Sequence, residues 1–280
     1  MGSSFFEQIN RHQASMWRHY IGLDLGAALE EAQNCYTLFQ LNSEMQVHDP
    51  DLFLRVLYYV NAFGYLLSEQ TVLKKSAQRL AQFVALRAGE FNENSQRVAF
   101  IYLQLCQLNV WIGLQDWEAA ANAVAELEAK ASKRLEELPH HRRYLFCYKF
   151  AVVAAANRHH GRAQDYLNDI LNAPPSLLRE DLLIHSRLLL IISYYETQDY
   201  YLADYAVTNL SRIIRQNRHA GQVHRFTLAA LRRLLREPQA SHRSIFAGLA
   251  SELQSVCADS FEAKCLRFLD VTKWVEAKLK

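Results

Sequence analysis

The stretch Asp199-Tyr200-Tyr201-Leu202-Ala203 decides the fold, because its pattern returns at three other places in the chain. The aspartate can cap the helix that follows it, and the bulky residue after it covers the turn. The alanine, four positions after the aspartate, is small enough to let the second helix approach the first closely. The same order occurs over 24–28 and 116–120, and a degenerate form occurs over 158–163. We therefore predict turns between antiparallel helices at these four places.

The spacing of these turns indicates a repeat. Their alanines are Ala28, Ala120, Ala163 and Ala203, which lie 92, 43 and 40 residues apart. A fifth turn near 74–76, with Ser76 at the alanine position, would split the longest interval into two units of about 46 residues. A two-helix unit that recurs at this period is typical of an α-solenoid.

These residues resemble the tetratricopeptide repeat family. The resemblance lies in Asp116-Trp117 before Ala120, in Asp199-Tyr200 before Ala203, in Pro175 twelve residues after Ala163, and in Gly64 twelve residues before Ser76. The units are longer than the usual 34 residues and mostly lack the family's Trp-Leu-Gly-Tyr run. The resemblance covers about residues 5–215. It implies a right-handed all-α solenoid of about six antiparallel helical hairpins, with a C-terminal capping helix.

Composition agrees with an all-helical protein. Among 280 residues there are nine Gly and five Pro, which is too few for a turn-rich β-protein or for a glycine-dependent nucleotide-binding fold. Half of the residues are hydrophobic, so the chain is not disordered. The 31 basic and 29 acidic side chains leave a net charge of +2, which excludes a globally polycationic nucleic-acid coat.

Cysteine usage and the N-terminal sequence predict a cytoplasmic protein without a membrane span. The five cysteines are scattered and form no C-x-x-C pair, as expected in a reducing compartment. The first residues lack the basic-then-apolar order of a signal peptide. Apolar stretches such as 188–193 fall short of the roughly 20 residues that a membrane span needs.

Helical periodicity and breaks predict one continuous domain over residues 1–280. It contains repeats over 5–215, a final hairpin over 220–257 and a capping helix over 259–280, which Asp259 and Glu262 open as a capping box. The thirteen predicted helices cover roughly 4–22, 24–42, 50–67, 69–88, 94–113, 116–134, 140–158, 161–172, 177–197, 199–217, 220–237, 241–257 and 260–279.

No sequence motif predicts catalysis or a cofactor. Phosphate-binding, dinucleotide, nucleophile-elbow and zinc-protease patterns are absent from the sequence. The adjacent histidines at 140–141 and 159–160 point about 100° apart on a helix, so neither pair chelates a metal. His219 and His224 flank a turn with no Cys or carboxylate nearby in the sequence. We expect no metal, no cofactor and no enzymatic activity.

The first helix of each hairpin predicts a partner-binding surface, which we call the inner wall. Tyrosines and amides on such a surface offer flat apolar area with hydrogen-bonding tips, and they suit a peptide. The alternative is that the tyrosines simply pack between hairpins. The wall has almost no Lys or Arg, unlike the clamp that grips a terminal carboxylate in the best-known members of the family. The predicted wall residues are Asn10, Gln13, Trp17, Tyr20, Tyr58, Asn61, Tyr65, Tyr102, Asn109, Tyr148, His185 and Tyr195.

Charge is distributed unevenly along the chain. Residues 1–130 carry nine basic and fourteen acidic side chains, whereas residues 131–245 carry seventeen basic and ten acidic. Arginine suits bidentate contacts with carboxylate or phosphate. The segment 212–243 is therefore a solvated face, a site for an acidic protein or for nucleic acid, or a surface that pairs with the acidic half of another copy. Its candidate residues, the basic patch, are Arg212, Arg215, Arg218, Arg225, Arg232 and Arg236.

Together these features predict a non-enzymatic scaffold or adaptor that binds a protein or peptide on a concave face. The alternative is a helical-repeat protein that binds nucleic acid through the basic patch. Ligand-sensing regulation is a third hypothesis. The sequence leaves the partner and the oligomeric state open.

Overall fold

The computed structural model describes residues 4–174, 179–217 and 220–280. Within these ranges the chain forms fifteen α-helices and no β-strand, which confirms the all-helical prediction. Pro175, Arg218 and His219, which the sequence analysis singled out, lie outside the described residues.

The chain divides into two compact units, Met1–Ala120 and Ala121–Lys280, where the sequence predicted one continuous domain. In the first unit each helix packs on its neighbours: α1 on α2, α2 on α4, and α4 on both α5 and α6. The helices of this unit are α1 (Phe5–Ile21), α2 (Leu25–Leu41), α3 (Glu44–His48), α4 (Pro50–Leu67), α5 (Gln70–Arg87) and α6 (Glu93–Leu114).

The next helix, α7 (Trp117–Glu136), crosses the boundary between the units and has a kink at Ala131. In the second unit packing again follows chain order from α8 to α13, and α14 and α15 then pack back on α12 and α13. Its helices are α8 (His140–Ala156), α9 (His160–Leu171), α10 (Glu180–Glu196), α11 (Tyr200–Gln216), α12 (Gln222–Leu234), α13 (His242–Val256), α14 (Ser260–Phe268) and α15 (Val271–Leu279).

Five turns share one backbone conformation. At each of them a single non-glycine residue has a left-handed φ of 58° to 63°, and the next amide donates to the carbonyl five residues back over 2.9 Å. This is the hydrogen bond that closes a Schellman motif at a helix end. The turns join α1 to α2, α4 to α5, α6 to α7, α8 to α9 and α10 to α11. Their left-handed residues are Leu23, Ser68, Gln115, Arg158 and Gln198.

The predicted caps and alanines lie at these turns. Asp24, Asp116 and Asp199 each accept a hydrogen bond on Oδ1 from the amide three residues ahead, over 3.1, 3.1 and 3.3 Å. The four predicted alanines are fully buried. The four turns predicted from local sequence are therefore confirmed.

The fifth turn lies at Ser68, between the predicted helices 50–67 and 69–88, but Leu73 and not Ser76 holds the alanine position. Glycines on the first helices make room for this leucine. A Cβ on Gly113 would lie 2.7 Å from Leu73 Cδ2, and one on Gly64 would lie 3.3 Å from the Leu73 amide nitrogen. Close approach at this turn comes from small residues in the first helices, so the search for a small residue in the second helix assigned the alanine position to the wrong residue.

The predicted capping helix is two helices. The backbone of Leu269 is extended, and Asp270 caps α15 by accepting from the amide of Lys273 over 3.2 Å. Half of the predicted capping box is correct, because Asp259 caps α14. The side chain of Glu262 instead accepts from the amide of Val223 on α12. The short helix α3 was not predicted.

Among the described residues, α6 is the one helix whose length and apolar composition would suffice for a membrane span. Of its apolar window 44% is buried, and α6 packs against α4 and α5. The core helix of a soluble protein meets the same two criteria. Cytoplasmic location stays a prediction.

Candidate partner-binding surface

Four aromatic side chains form a continuous line in the first unit, which we call the aromatic row. Its members are Trp17 on α1, Tyr59 and Tyr58 on α4, and Tyr102 on α6. The ring centroids lie 5.4 Å apart from Trp17 to Tyr59, 6.0 Å from Tyr59 to Tyr58 and 4.6 Å from Tyr58 to Tyr102. The row therefore crosses the helices that precede three successive turns.

The row packs on the core of the first unit at one end, and the exposure of its rings differs. Tyr20 packs edge-on against Trp17, and Phe63 lies below Tyr20 in the core of the unit. Trp17 is 42% exposed, Tyr58 and Tyr59 are half-buried, and Tyr102 is buried at the end of the row. Fixed rings with one open face offer apolar contact area at a small entropic cost.

Burial corrects the inner wall at five positions: Asn61, Tyr102, Asn109, Tyr148 and His185. Asn61 and Asn109 form a polar pair inside the first unit, where Asn109 Nδ2 donates to Asn61 Oδ1 over 2.9 Å. Asn61 Nδ2 in turn donates to the carbonyl of Leu73 and to Ser76 Oγ. These amides satisfy each other and the backbone, so they do not face a partner.

The wall of the second unit is covered by the C-terminal helices. Tyr148 Oη donates to the carbonyl of Phe268 at the end of α14 over 2.8 Å. The ring of Tyr195 lies 6.1 Å from that of Trp274 on α15, and its hydroxyl lies 3.1 Å from His242 Nδ1. Glu196 accepts from both Trp274 Nε1 and Lys278 Nζ over 2.7 Å, which fixes α15 in this position.

The other predicted wall residues remain at least partly accessible. Asn10 is exposed on α1, and Tyr20 and Tyr65 are half-buried. Gln13 is also half-buried, and its Nε2 is enclosed with no hydrogen-bond partner among the described residues. Of these four residues, Tyr20 contacts the aromatic row through Trp17.

Sequence reasoning missed Tyr59, which joins Trp17 to Tyr58. The wall register assigned only one of the two adjacent tyrosines to the surface. Both are half-buried, because they lie at the edge between the buried and the exposed face of α4. The pair of adjacent tyrosines in the sequence was the available signal.

A second cluster, buried in the second unit, contains His185, His224 and Cys265, whose potential ligand atoms lie within 4.8 Å of one another. Cys265 and the carboxylate of Glu262 come from α14, so the expectation that His224 has no Cys or acid nearby fails in three dimensions. Burial lowers the pKa of His185 to about 3 and that of His224 to about 4. Smaller contributions to these values come from the charge of His224 for His185 and from that of Arg225 for His224.

The hydrogen bonds of this cluster do not suit a metal ion. The Gly221 amide donates to His224 Nδ1 over 3.0 Å, so that nitrogen carries no proton. Neutral His224 then holds its proton on Nε2, which donates to His185 Nδ1 over 3.1 Å. A metal between these two atoms would require His224 to lose its one remaining proton and become an imidazolate, whereas metal-bound histidines ordinarily donate from the second nitrogen. The arrangement is a neutral histidine pair.

Several arginines of the basic patch contact the end of α11. Arg225 donates to the carbonyl of Ile214 over 3.4 Å, Arg215 donates to that of Ser211 over 3.3 Å, and Arg232 donates to Ser211 Oγ. Cations at a helix C-terminus are stabilised by the orphan carbonyls and the helix dipole. Arg212 and Arg236 are exposed. Part of the patch thus has a structural role.

Comparison with known proteins assigns no family. No protein-family model matches the chain, and a search of curated proteins finds no matching sequence.

Proposed function

We propose that this chain is a non-enzymatic scaffold that binds a peptide segment of a partner protein on the aromatic row. In this proposal the repeats form a right-handed solenoid of the divergent tetratricopeptide type, with about six hairpins, and the row lies on its concave face. The single observation that carries the proposal is the line of ring contacts across α1, α4 and α6, in which Trp17 is exposed and Tyr58 and Tyr59 are half-buried.

The two units differ in how much of the inner wall they leave open. Contacts from α14 and α15 engage Tyr148 and Tyr195 in the second unit. Among the described residues of the first unit, Trp17 keeps 42% of its surface exposed. Partner binding is therefore assigned to the first unit, and α14 and α15 act as the cap of the second.

The chemistry of the first unit indicates the kind of segment that fits. The row itself carries no charge, so it favours apolar or aromatic side chains. Residues 1–120 contain twelve acidic and eight basic side chains. A segment with an apolar centre and basic flanks satisfies both features, because arginine also stacks on exposed indole and phenol rings.

The test is affinity capture from lysate of the native source with three baits: the wild type, Trp17→Ala and Phe6→Ala. Phe6 is the matched control, since it lies on the same helix and is 44% exposed. We expect one protein to be retained by the wild type and by Phe6→Ala, and to be lost with Trp17→Ala. With a peptide from that protein, Trp17→Ala should raise the Kd at least about tenfold, as for an interface anchor.

Nuclease treatment and high salt distinguish the peptide scaffold from the nucleic-acid hypothesis. Retention that survives nuclease and high salt supports the peptide scaffold. Recovery of nucleic acid that disappears at high salt, and that needs Arg225, Arg232 and Arg236, would replace it by the nucleic-acid hypothesis. Partners that bind equally well to all three baits would refute the role of the aromatic row.

A further inference from the structure

The outer face of α11 exposes an unusual amount of aromatic surface. Tyr201 is 84% exposed and Tyr205 is 65% exposed, and Asp204, Thr208 and the arginines of the last turns lie on the same open side. The opposite side of α11 supplies Ala203, Val207, Leu210 and Ile214 to the core of the second unit. Tyr201, Asp204, Tyr205 and Thr208 are therefore left exposed by the described residues of that unit.

The residues on this face have a symmetric order. Thr208 stands at the centre, Asp204 lies four residues before it and Arg212 four after it, and Tyr201 and Arg215 lie seven residues to either side. Spacings of four and seven residues keep these side chains on one stripe of a helix. If a second α11 lies antiparallel with the two threonines opposed, each aspartate meets an arginine and each Tyr201 meets an Arg215.

We propose that this face is an isologous contact between two copies of the chain, with the two-fold axis at Thr208. Two salt bridges between Asp204 and Arg212 and two cation–π contacts between Tyr201 and Arg215 form at once, because a two-fold axis duplicates every pair. The small threonine at the centre allows the two helices to approach closely.

The contacts inside the monomer are compatible with this pairing. Arg215 uses Nε for the carbonyl of Ser211 within its own helix, so its guanidinium stays at the surface of α11. The contact is one helix on one helix, which is small beside the roughly 800 Å² per partner of a standard interface. The dimer is therefore weak, depends on concentration and weakens as salt is added.

Exchange of charges tests the pairing directly. In Asp204→Arg two arginines oppose each other across the axis, and in Arg212→Asp two aspartates do so. We expect each variant to raise the dimer Kd by about tenfold or more in sedimentation equilibrium, since like charges in contact repel. An equimolar mixture of the two variants restores both pairs, and so does the double variant in one chain. Both should return to within about threefold of the wild-type Kd.

Cross-linking tests the position of the axis. In a Cys257→Ser background, Thr208→Cys should give a covalent dimer with a short bismaleimide, whereas Ser251→Cys, exposed on α13, should not. A wild-type chain that is monomeric at every concentration would overturn the proposal. So would a dimer that ignores both charge reversals, or a mixture of variants that stays monomeric. None of these results bears on the aromatic row, because α11 and the row lie in different units.

Discussion

The asparagines of the predicted inner wall lie in opposite environments, since Asn61 is buried and Asn10 is exposed. Asn61 is fully buried on α4, where its amide group donates to Leu73 and Ser76 and accepts from Asn109. Asn10 is exposed on α1. A buried side-chain amide that loses a hydrogen-bond partner has no water to replace it, whereas an exposed amide forms hydrogen bonds with water.

Replacement of Asn61 by alanine should therefore lower the free energy of unfolding by about 2 kcal/mol, since it removes the buried Oδ1 that accepts from Asn109 Nδ2. Replacement of Asn10 by alanine should change it by less than about 0.5 kcal/mol. Urea denaturation followed by circular dichroism measures both. Equal effects would contradict the burial of the Asn61–Asn109 pair.

At the level of helices, Glu262 joins α14 to α12. Its carboxylate is buried and accepts from the amides of Gln222 and Val223 over 2.7 and 2.9 Å, at the first turn of α12. These amides are orphan donors of a helix N-terminus, where a negative charge is favourable. The approach is close, because a Cβ on Gly221 would lie 2.5 Å from a Glu262 carboxylate oxygen.

Glu262→Ala should lower the free energy of unfolding by about 3 kcal/mol, because the buried amide of Val223 and the part-buried amide of Gln222 lose a charged acceptor. Glu252→Ala, at an exposed position on α13, is the matched control and should have little effect. Amide hydrogen exchange should show faster exchange at the start of α12 in the Glu262 variant alone. If protection of α12 is unchanged, the carboxylate does not cap that helix.

At the level of the whole molecule, the buried histidine pair makes the stability of the second unit depend on pH. The pKa values of about 3 for His185 and about 4 for His224 lie below the ordinary value of 6.5. Above pH 6.5 both histidines are neutral in the folded and the unfolded chain. As the pH falls from 6.5 towards 4, the two histidines become protonated in the unfolded chain but stay neutral in the folded chain. The free energy of unfolding therefore decreases in this range.

The expected loss for the pair approaches about 1.4 kcal/mol per histidine for each pH unit below 6.5. His224→Gln keeps an acceptor at the third position of α12 but removes one titrating group, so the slope of unfolding free energy against pH should fall by roughly half of the pair's contribution. Asn10→Ala, at an exposed position and without a titrating group, is the control and should preserve the wild-type slope. Identical slopes in the wild type and His224→Gln between pH 7.5 and 5 would contradict the buried pair.

The helical class, the repeated turns and the aspartate caps that begin three of the following helices follow from the sequence alone, whereas the residue at the alanine position of the fifth turn does not. These features depend on contacts within a few residues, such as the bond from Asp199 Oδ1 to the amide of Leu202. Because local hydrogen bonds and side-chain size decide them, the amino-acid pattern is sufficient information.

Three features depend on the tertiary structure. They are the exposure of the predicted wall residues, the contact of Glu262 with α12 and the contact of His185 with His224. Each of these outcomes depends on residues far apart in the chain: Tyr148 and Phe268 are separated by 120 positions, and Asn61 and Asn109 by 48. Helical periodicity tells which face of a helix is apolar, but it does not tell which distant element covers a mixed face. The C-terminal helices cover that face in the second unit, and for this reason the surface proposed to bind a partner is the aromatic row of the first.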